Sequence, residues 1–396
     1  MGLKESVNNF RRCVTVFDTV YPNHILLKIF GLTIYTVYGD PKDGRVKITF
    51  WDAVGFFRLM VMELFVLYAS LMSVLNLKST GSVILDNGTR YTIVLGSIYI
   101  TLLAVSNYWS YEKAIKCNAP VNQVAQKRTF LQCIGCVVCI WIFLGFVNTK
   151  GANQVSESLE TRLAIIFSSL CFAIPFTLIE LQLFCFGYLI SYRLNHLNET
   201  LSVNFVAPGK KSTLILKELP VPRSLQADKS KLLNELWLQW SNVNKAAQMT
   251  SKVVSGQLIF VSVANVVMNT FSLFTLYRAL ISQDSQQEWL AVFNVTTSVF
   301  LGIFGMVIIE IMDRIKRQGA KTAILVHKAF QNYDNTPIKE ELLQFSQYMS
   351  HRKIVINCYL FECDWTLGMS IMSTMISYLV ILIQFDDSFV TTVENK

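Results

Sequence analysis

Ser377-Tyr378-Leu379-Val380-Ile381-Leu382-Ile383-Gln384-Phe385 closes an apolar run of 32 residues that opens at Ile354. A helix over 365–385 is about 31 Å long at 1.5 Å per residue, enough to cross the hydrocarbon core of a bilayer. It is not apolar all round. At about 100° per residue, Thr366, Ser370, Ser373, Ser377 and Gln384 share an arc of about 60°, with Thr374 at its edge and Ile381 interrupting it. Lipid offers such a stripe no hydrogen-bond partner, so it must face water or another helix.

Composition agrees with a membrane fold. The 396 residues are 52% hydrophobic and 16% charged, with a mean hydropathy of +0.41; soluble chains carry about a quarter charged residues. Apolar runs of about 20 residues recur between charged segments, as in a polytopic helical membrane protein. The expected crossings are Ala53–Leu77, Tyr91–Trp109, Phe130–Asn148, Leu163–Ile190, Val253–Ile281, Leu290–Met312 and a seventh ending at Phe385. Tyr21–Tyr38 holds His24 and Lys28 and reads as an interfacial or re-entrant helix. Arg58 and Glu63 in the first crossing belong on the bundle interior, and Pro175 in the fourth predicts a kink. No apolar h-region precedes Asp18, so no cleavable signal peptide is expected.

The basic residues orient the chain. With the N-terminus inside, segments 1–52, 110–129, 191–252 and 313–353 hold 28 Lys and Arg, while the outside segments hold five. That asymmetry predicts a cytoplasmic N-terminus and an extracellular C-terminus, and accounts for the net charge of +8 without nucleic acid. Asn87-Gly88-Thr89 is a glycosylation sequon in the first outside loop. Asn198-Glu199-Thr200 falls inside, and Asn294-Val295-Thr296 falls within a span. Cys133, Cys136 and Cys139 lie within an apolar run without a histidine or a second ligand pair, so they read as helix-packing residues and no metal site is expected. No span holds a nucleophile–base pair, which argues against an enzyme, and no cofactor is implied.

Two inside segments are more than loops. Ser230–Met249 places Leu232, Leu233, Leu236, Trp240 and Val243 on one helical face, with Trp237 at its margin. Thr336-Pro337, with Glu340 and Glu341 in the first turn, starts a helix that presents Leu342, Phe345 and Met349. Both need apolar partners, either each other or another subunit. Ala207–Arg223, with Pro208, Gly209, Pro220 and Pro222, is a connector.

Residues 377–385 resemble the C-terminal signature of the insect gustatory receptors, Thr-Tyr, five apolar residues and Gln-Phe, with Ser377 in place of Thr. Cys358–Leu367, aromatic-rich with Asp364 before Thr366-Leu367, is similar to that family's approach to its last helix. The resemblance implies an all-α membrane protein of seven transmembrane helices acting as a tastant-gated, non-selective cation channel. It implies four subunits, identical or mixed with other gustatory receptor subunits, around a central pore in the cell membrane of a gustatory neuron dendrite. The organisation expected is a cytoplasmic segment 1–52, then a ligand-binding bundle 53–353 with cytoplasmic extensions 191–252 and 313–353. The seventh helix follows at 354–385, an anchor part and then a pore-lining part, with an extracellular tail 386–396. Matching positions put Ser377, Tyr378, Ile381, Gln384 and Phe385 at the pore and gate, with Tyr378 bracing the helix. Asp386 and Asp387 follow at the outer mouth, where four copies make a carboxylate ring favouring cations; a solvated helix end is the equal alternative.

A tastant pocket would open outward between the outer halves of the first six helices. Polar and aromatic residues at that depth are Tyr99, Trp141, Asn148, Ser168, Ser169, Asn269, Thr270, Thr275, Tyr277, Trp289, Asn294 and Thr297. Hydroxyls, amides and rings suit sugars and alkaloids equally. A bitter or other non-sugar compound is the expected class, with a sugar or internal nutrient as the alternative. A G-protein-coupled receptor is the competing class. The inside N-terminus, the lack of Asp/Glu-Arg-Tyr after the third crossing and the lack of Asn-Pro-x-x-Tyr in the seventh argue against it. A transporter is disfavoured by the odd number of crossings.

Overall fold

The computed structural model describes residues 36–37 and 46–47 and individual helical positions between 54 and 72, at 98 and between 135 and 149. It then describes 159–206, 229–282, 285–332, 336–358 and 361–394. Thr36–Val37 (β1) pairs antiparallel with Val46–Lys47 (β2), Thr36 opposite Lys47. The end of the stretch read as an interfacial helix is therefore strand. Thr36 and Val37 are β-branched and precede turn-forming Gly39-Asp40-Pro41, and both features favour pairing over helix. The rest of that stretch, Arg58, Glu63, Asn87 and most of the first two crossings lie outside the described residues.

Among the described residues, four long helices carry the architecture. α1 is Leu159–Leu201, 43 residues running through Pro175 without a break in the helix, and it ends in a π-helical turn at Ser202–Val206. α2 is Lys229–Ser282 and α3 is Ser285–Asn332, of 54 and 48 residues. α4 is the short helix Thr336–Ser350. α5 is Trp365–Glu394. The segment Ser230–Met249 and the fifth crossing are thus one rod. Between residues 229 and 255 there is neither glycine nor proline to end a helix. The sixth crossing likewise continues past Met312 to Asn332, since charge changes a helix's solvent preference but does not break its backbone ladder.

The main core lies at the end of the bundle that carries α4. It gathers Leu194 and Leu197 from α1, Phe205 from the π-helical turn that follows it, Leu233, Leu236, Trp240 and Val243 from α2, Ile315 and Val326 from α3, and Leu342, Phe345 and Met349 from α4. The two apolar faces read from the sequence meet each other within one chain. Trp237 stacks on Phe345 at 5.8 Å between centroids, and Trp240 meets Phe345 and Tyr348 edge-on at 6.1 and 5.7 Å. Asn198 is buried in this region. Its amide donates to the Gln318 carbonyl and side-chain oxygens at 3.0 and 2.9 Å and accepts from Thr322 Oγ1 at 2.7 Å, so the inside sequon is a packing residue. Higher up, α1 and α3 cross where Gly187 leaves no room for a side chain: a Cβ there would lie 2.5 Å from Ile311 Cγ2.

Residues 354–364 are not the first turns of the seventh helix, which the sequence reading carried back to Ile354. Asn357–Cys358 (β3) and Phe361–Glu362 (β4) pair antiparallel, and Cys363 N donates to Ile356 O at 3.1 Å. The β-branched and aromatic residues of this segment favour the pleated form. Ser251 and Ser255 of α2 both donate to Asn357 O, at 2.8 and 2.9 Å, fixing the hairpin to the rod. α5 begins at Trp365 and continues past Phe385 to Glu394, into what the sequence reading treated as the tail.

Candidate functional site

α5 is held firmly at its first turn. Asp364 caps it, its Oδ1 accepting from Thr366 N and Leu367 N at 2.9 and 3.3 Å, which satisfies amides that no helical carbonyl reaches. Lys316 of α3 donates to Asp364 Oδ2 at 2.9 Å and to Glu362 Oε2 at 2.6 Å. The Lys316 bond holds the Asp364 carboxyl below the usual aspartate range, helped by the Leu367 amide and the Thr366 side chain. Beside it, Trp365 Nε1 donates to Glu310 Oε2 at 3.0 Å, and Arg317 holds the other Glu310 oxygen at 2.8 Å.

The far end is tied differently. Arg278 Nη1 of α2 lies 2.9 Å from Asp386 Oδ2, with side-chain exposures of 14% and 5%. Asp386 is thus a paired, buried carboxylate and not a solvated helix end. An arginine buried this far along an apolar helix needs an anion, and Asp386 is the one α5 brings to the same depth. The side chain of Asp387 lies outside those described.

Between its tethers α5 hardly touches its own chain. Of residues 365–386 only Gly368, Met375 and Asp386 are buried. At about 100° per residue those three fall within about 20° of one another, on the side of the helix opposite the arc of Thr366, Ser370, Ser373, Ser377 and Gln384. The polar stripe thus lies opposite the buried face, with Thr366 and Ser370 at the edge of a groove against α2. Its hydroxyls donate along the helix, Ser370 to Thr366 O at 3.0 Å, Thr374 to Ser370 O at 2.8 Å and Ser377 to Ser373 O at 3.0 Å. Tyr378, Ile381 and Phe385 are exposed on the flank of the stripe. Tyr378 and Ile381 line a groove of about 940 Å³ whose other wall is Val263, Val266, Val267 and Phe271 of α2.

The described ligand candidates on α2 and α3 form an interhelical seam. Ser272 Oγ donates to Asn294 O at 3.0 Å, and Asn294 Nδ2 to Thr275 Oγ1 at 3.4 Å. Ser298 Oγ donates to Asn269 Oδ1 at 2.5 Å, and Asn269 Nδ2 to Asn265 O at 2.6 Å. Thr270 Oγ1 bonds back to Val266 O at 2.7 Å, and Tyr277 stacks on Phe274. Thr297 Oγ1 is buried with no hydrogen-bond partner among the described residues. Trp141 is brought to α1, where its Nε1 donates to Thr177 Oγ1 at 2.8 Å. Ser168 and Trp289 are on described helices with side chains outside the description, and Tyr99 and Asn148 lie outside it altogether. Glu180 is fully buried, neither oxygen having a hydrogen-bond partner among the described residues.

The sequence reading missed the Arg278–Asp386 bridge, the Lys316 clamp and the Asn265 position. The first two had a signal: an arginine inside a span calls for an acid at matching depth, and Asp-x-Thr-Leu opening a span is a capping pattern.

Among the described residues, Val254–Ile281, Asn294–Asn332 and Trp365–Asp386 are each long and apolar enough to cross a membrane. Such helices are those of a polytopic helical membrane protein. The chain belongs to the 7tm chemosensory receptor family, whose model matches residues 20–389. It is 24% identical over 419 aligned residues to gustatory receptor 28b of Drosophila melanogaster, covering 95% of this chain and 88% of that one. It is also 35% identical over 81 residues to gustatory receptor 28a of the same species, 20% of this chain and 18% of that one. In fold it is similar to the insect olfactory receptor OR5 of Machilis hrabei in complex with eugenol. The TM-score is 0.62 at 11% identity, over 92% of this chain and 97% of that one. The same receptor without eugenol gives a TM-score of 0.61 at 10% identity, with the same coverage. The protein is therefore a seven-transmembrane chemoreceptor rather than an enzyme.

Proposed function

We propose that this receptor is a tastant-gated, non-selective cation channel in which α5 from each of four subunits lines a central pore. The observation that carries the reading is the opposition of faces on α5, with Gly368, Met375 and Asp386 turned into the bundle and the stripe from Thr366 to Gln384 on the opposite side. A single chain leaves that stripe uncovered, and a ring of copies around water gives it the neighbour that lipid denies it. In this reading the α4 end is cytoplasmic, the C-terminal end of α5 is extracellular, and Ile381, Gln384 and Phe385 form the outer constriction. Asp386 is tied to Arg278 and steadies the mouth instead of offering a free charge. The ligand is a small non-volatile molecule, bitter or otherwise non-sugar, entering among the outer halves of the other helices, and the site of action is the dendrite of a gustatory neuron.

The test is thiol accessibility in cells expressing the chain. Ser373→Cys, Ser377→Cys and Gln384→Cys should react with a charged methanethiosulfonate applied in water and change the ionic current, while Met375→Cys should not. Equal reactivity on both faces, or currents that require G proteins, would overturn the proposal.

A further inference from the structure

A second cavity lies behind α5, bounded by α2, α3, Cys363 of the hairpin and the buried face of α5. Its volume is about 80 Å³, several times the roughly 10–15 Å³ that one water needs. Its walls are apolar and pliable, with Met306 from α3 and Met372 and Met375 from α5. Glycines make the space. A Cβ at Gly305 would lie 3.1 Å from Asn265 Nδ2, and one at Gly368 would lie 3.4 Å from Ile309 Cδ1.

The polar groups in the lining are committed, with one exception. Ser262 Oγ donates to Leu258 O at 2.8 Å. Asn269 uses its amide on Asn265 O and its oxygen on Ser298, as described above. Asn265 is only 7% exposed and lines the cavity, yet its Oδ1 has no hydrogen-bond partner among the described residues. A buried carboxamide oxygen left unsatisfied is costly, and its chemistry asks for a donor.

We propose that this cavity binds a small, largely apolar molecule carrying one hydroxyl, such as a phenol or a short alcohol, with the hydroxyl pairing with the Asn265 carboxamide and the carbon body lying against the methionines. The site is separate from the outward tastant pocket. Because one wall is the buried side of α5, an occupant sits where it wedges that helix from α2 and α3. That effect on gating rests on the pore reading above, whereas binding does not.

The experiment uses the full chain in lipid nanodiscs with methyl-13C methionine, phenol as the probe and fluorobenzene as its near-isostere lacking the donor. Phenol should shift the Met306, Met372 and Met375 signals saturably, and fluorobenzene should bind about tenfold more weakly, the worth of one hydrogen bond. Asn265→Val should weaken phenol by a similar factor and abolish the preference between the two probes. No saturable shift at these methionines, which is the outcome if the cavity holds water alone, overturns the proposal, as does equal binding of both probes or full phenol affinity in Asn265→Val. If Asn265→Val fails to assemble, the comparison of the two probes on the wild-type chain decides alone.

Discussion

The Arg278 guanidinium and the Asp386 carboxylate meet at 2.9 Å between α2 and α5, both largely shielded from solvent. Removing one partner of a buried pair strands the other charge, at a cost of about 3–5 kcal/mol. Asp386→Ala and Arg278→Ala should each lower the melting temperature of the detergent-solubilised receptor. The exchanged pair Arg278→Asp with Asp386→Arg should recover part of the loss. Simple additivity of the two exchanges would show that the residues do not act as a pair.

The exposed end of α5 gives a functional prediction. Gln384→Ala or Phe385→Ala should change basal current or ion selectivity without lowering surface expression, since neither side chain is buried in the chain. Unaltered conduction in both variants would remove these residues from the constriction.

Packing at the α4 end should be stiff. Trp240 and Phe345 are buried and in ring contact, so Trp240→Ala or Phe345→Ala should cost about 3–5 kcal/mol and deplete receptor at the surface. A thermal melt within about a degree of wild type would contradict the core as described.

The α1–α3 crossing is equally specific. Gly187→Leu must displace Ile311, and overpacking of this kind costs about 1–3 kcal/mol. Gly187→Leu combined with Ile311→Ala should be more stable than Gly187→Leu alone, and failure of that rescue in a melting assay would place the clash elsewhere.

The start of α5 should be acid-sensitive. Asp364 has its folded carboxyl pulled below the ordinary value of about 3.9. Its contribution is therefore full above that ordinary value and lost as pH falls through the lower folded one. Lys316→Gln removes the main cause of the depression, so the gain in stability between strongly acid and neutral pH should shrink. An unchanged pH profile of melting would show that Lys316 does not bind Asp364.

The membrane class and the apolar faces of α2 and α4 were legible in the sequence because both rest on periodicity: apolar runs of bilayer length, and Leu236, Trp240 and Val243 on one helix and Phe345 and Met349 on another recurring at helical spacing. That the two faces meet each other came from the structure. The hairpin before Trp365 was not legible, since a run of apolar residues has the same hydropathy in either backbone form. The continuity of α2 was hidden by its change from polar to apolar surface, which alters what the helix sits in and not whether it is a helix. Asn269 and Asn294 were visible as polar residues at membrane depth. Whether such an amide meets a ligand or the next helix depends on register between helices, which one chain's pattern does not encode.

A helix of 54 residues is about 81 Å long, and on α2 the distance from Trp240 to Arg278 is about 57 Å. Such a rod is a single mechanical member, with Trp240 wedged among rings at one end and Arg278 bolted to α5 at the other. A swing of either end is shared by the other, because no loop between them absorbs it. The serines that pin the hairpin to this rod, Ser251 and Ser255, lie between the two fixtures. They make the base of α5 ride on the same beam that holds its tip.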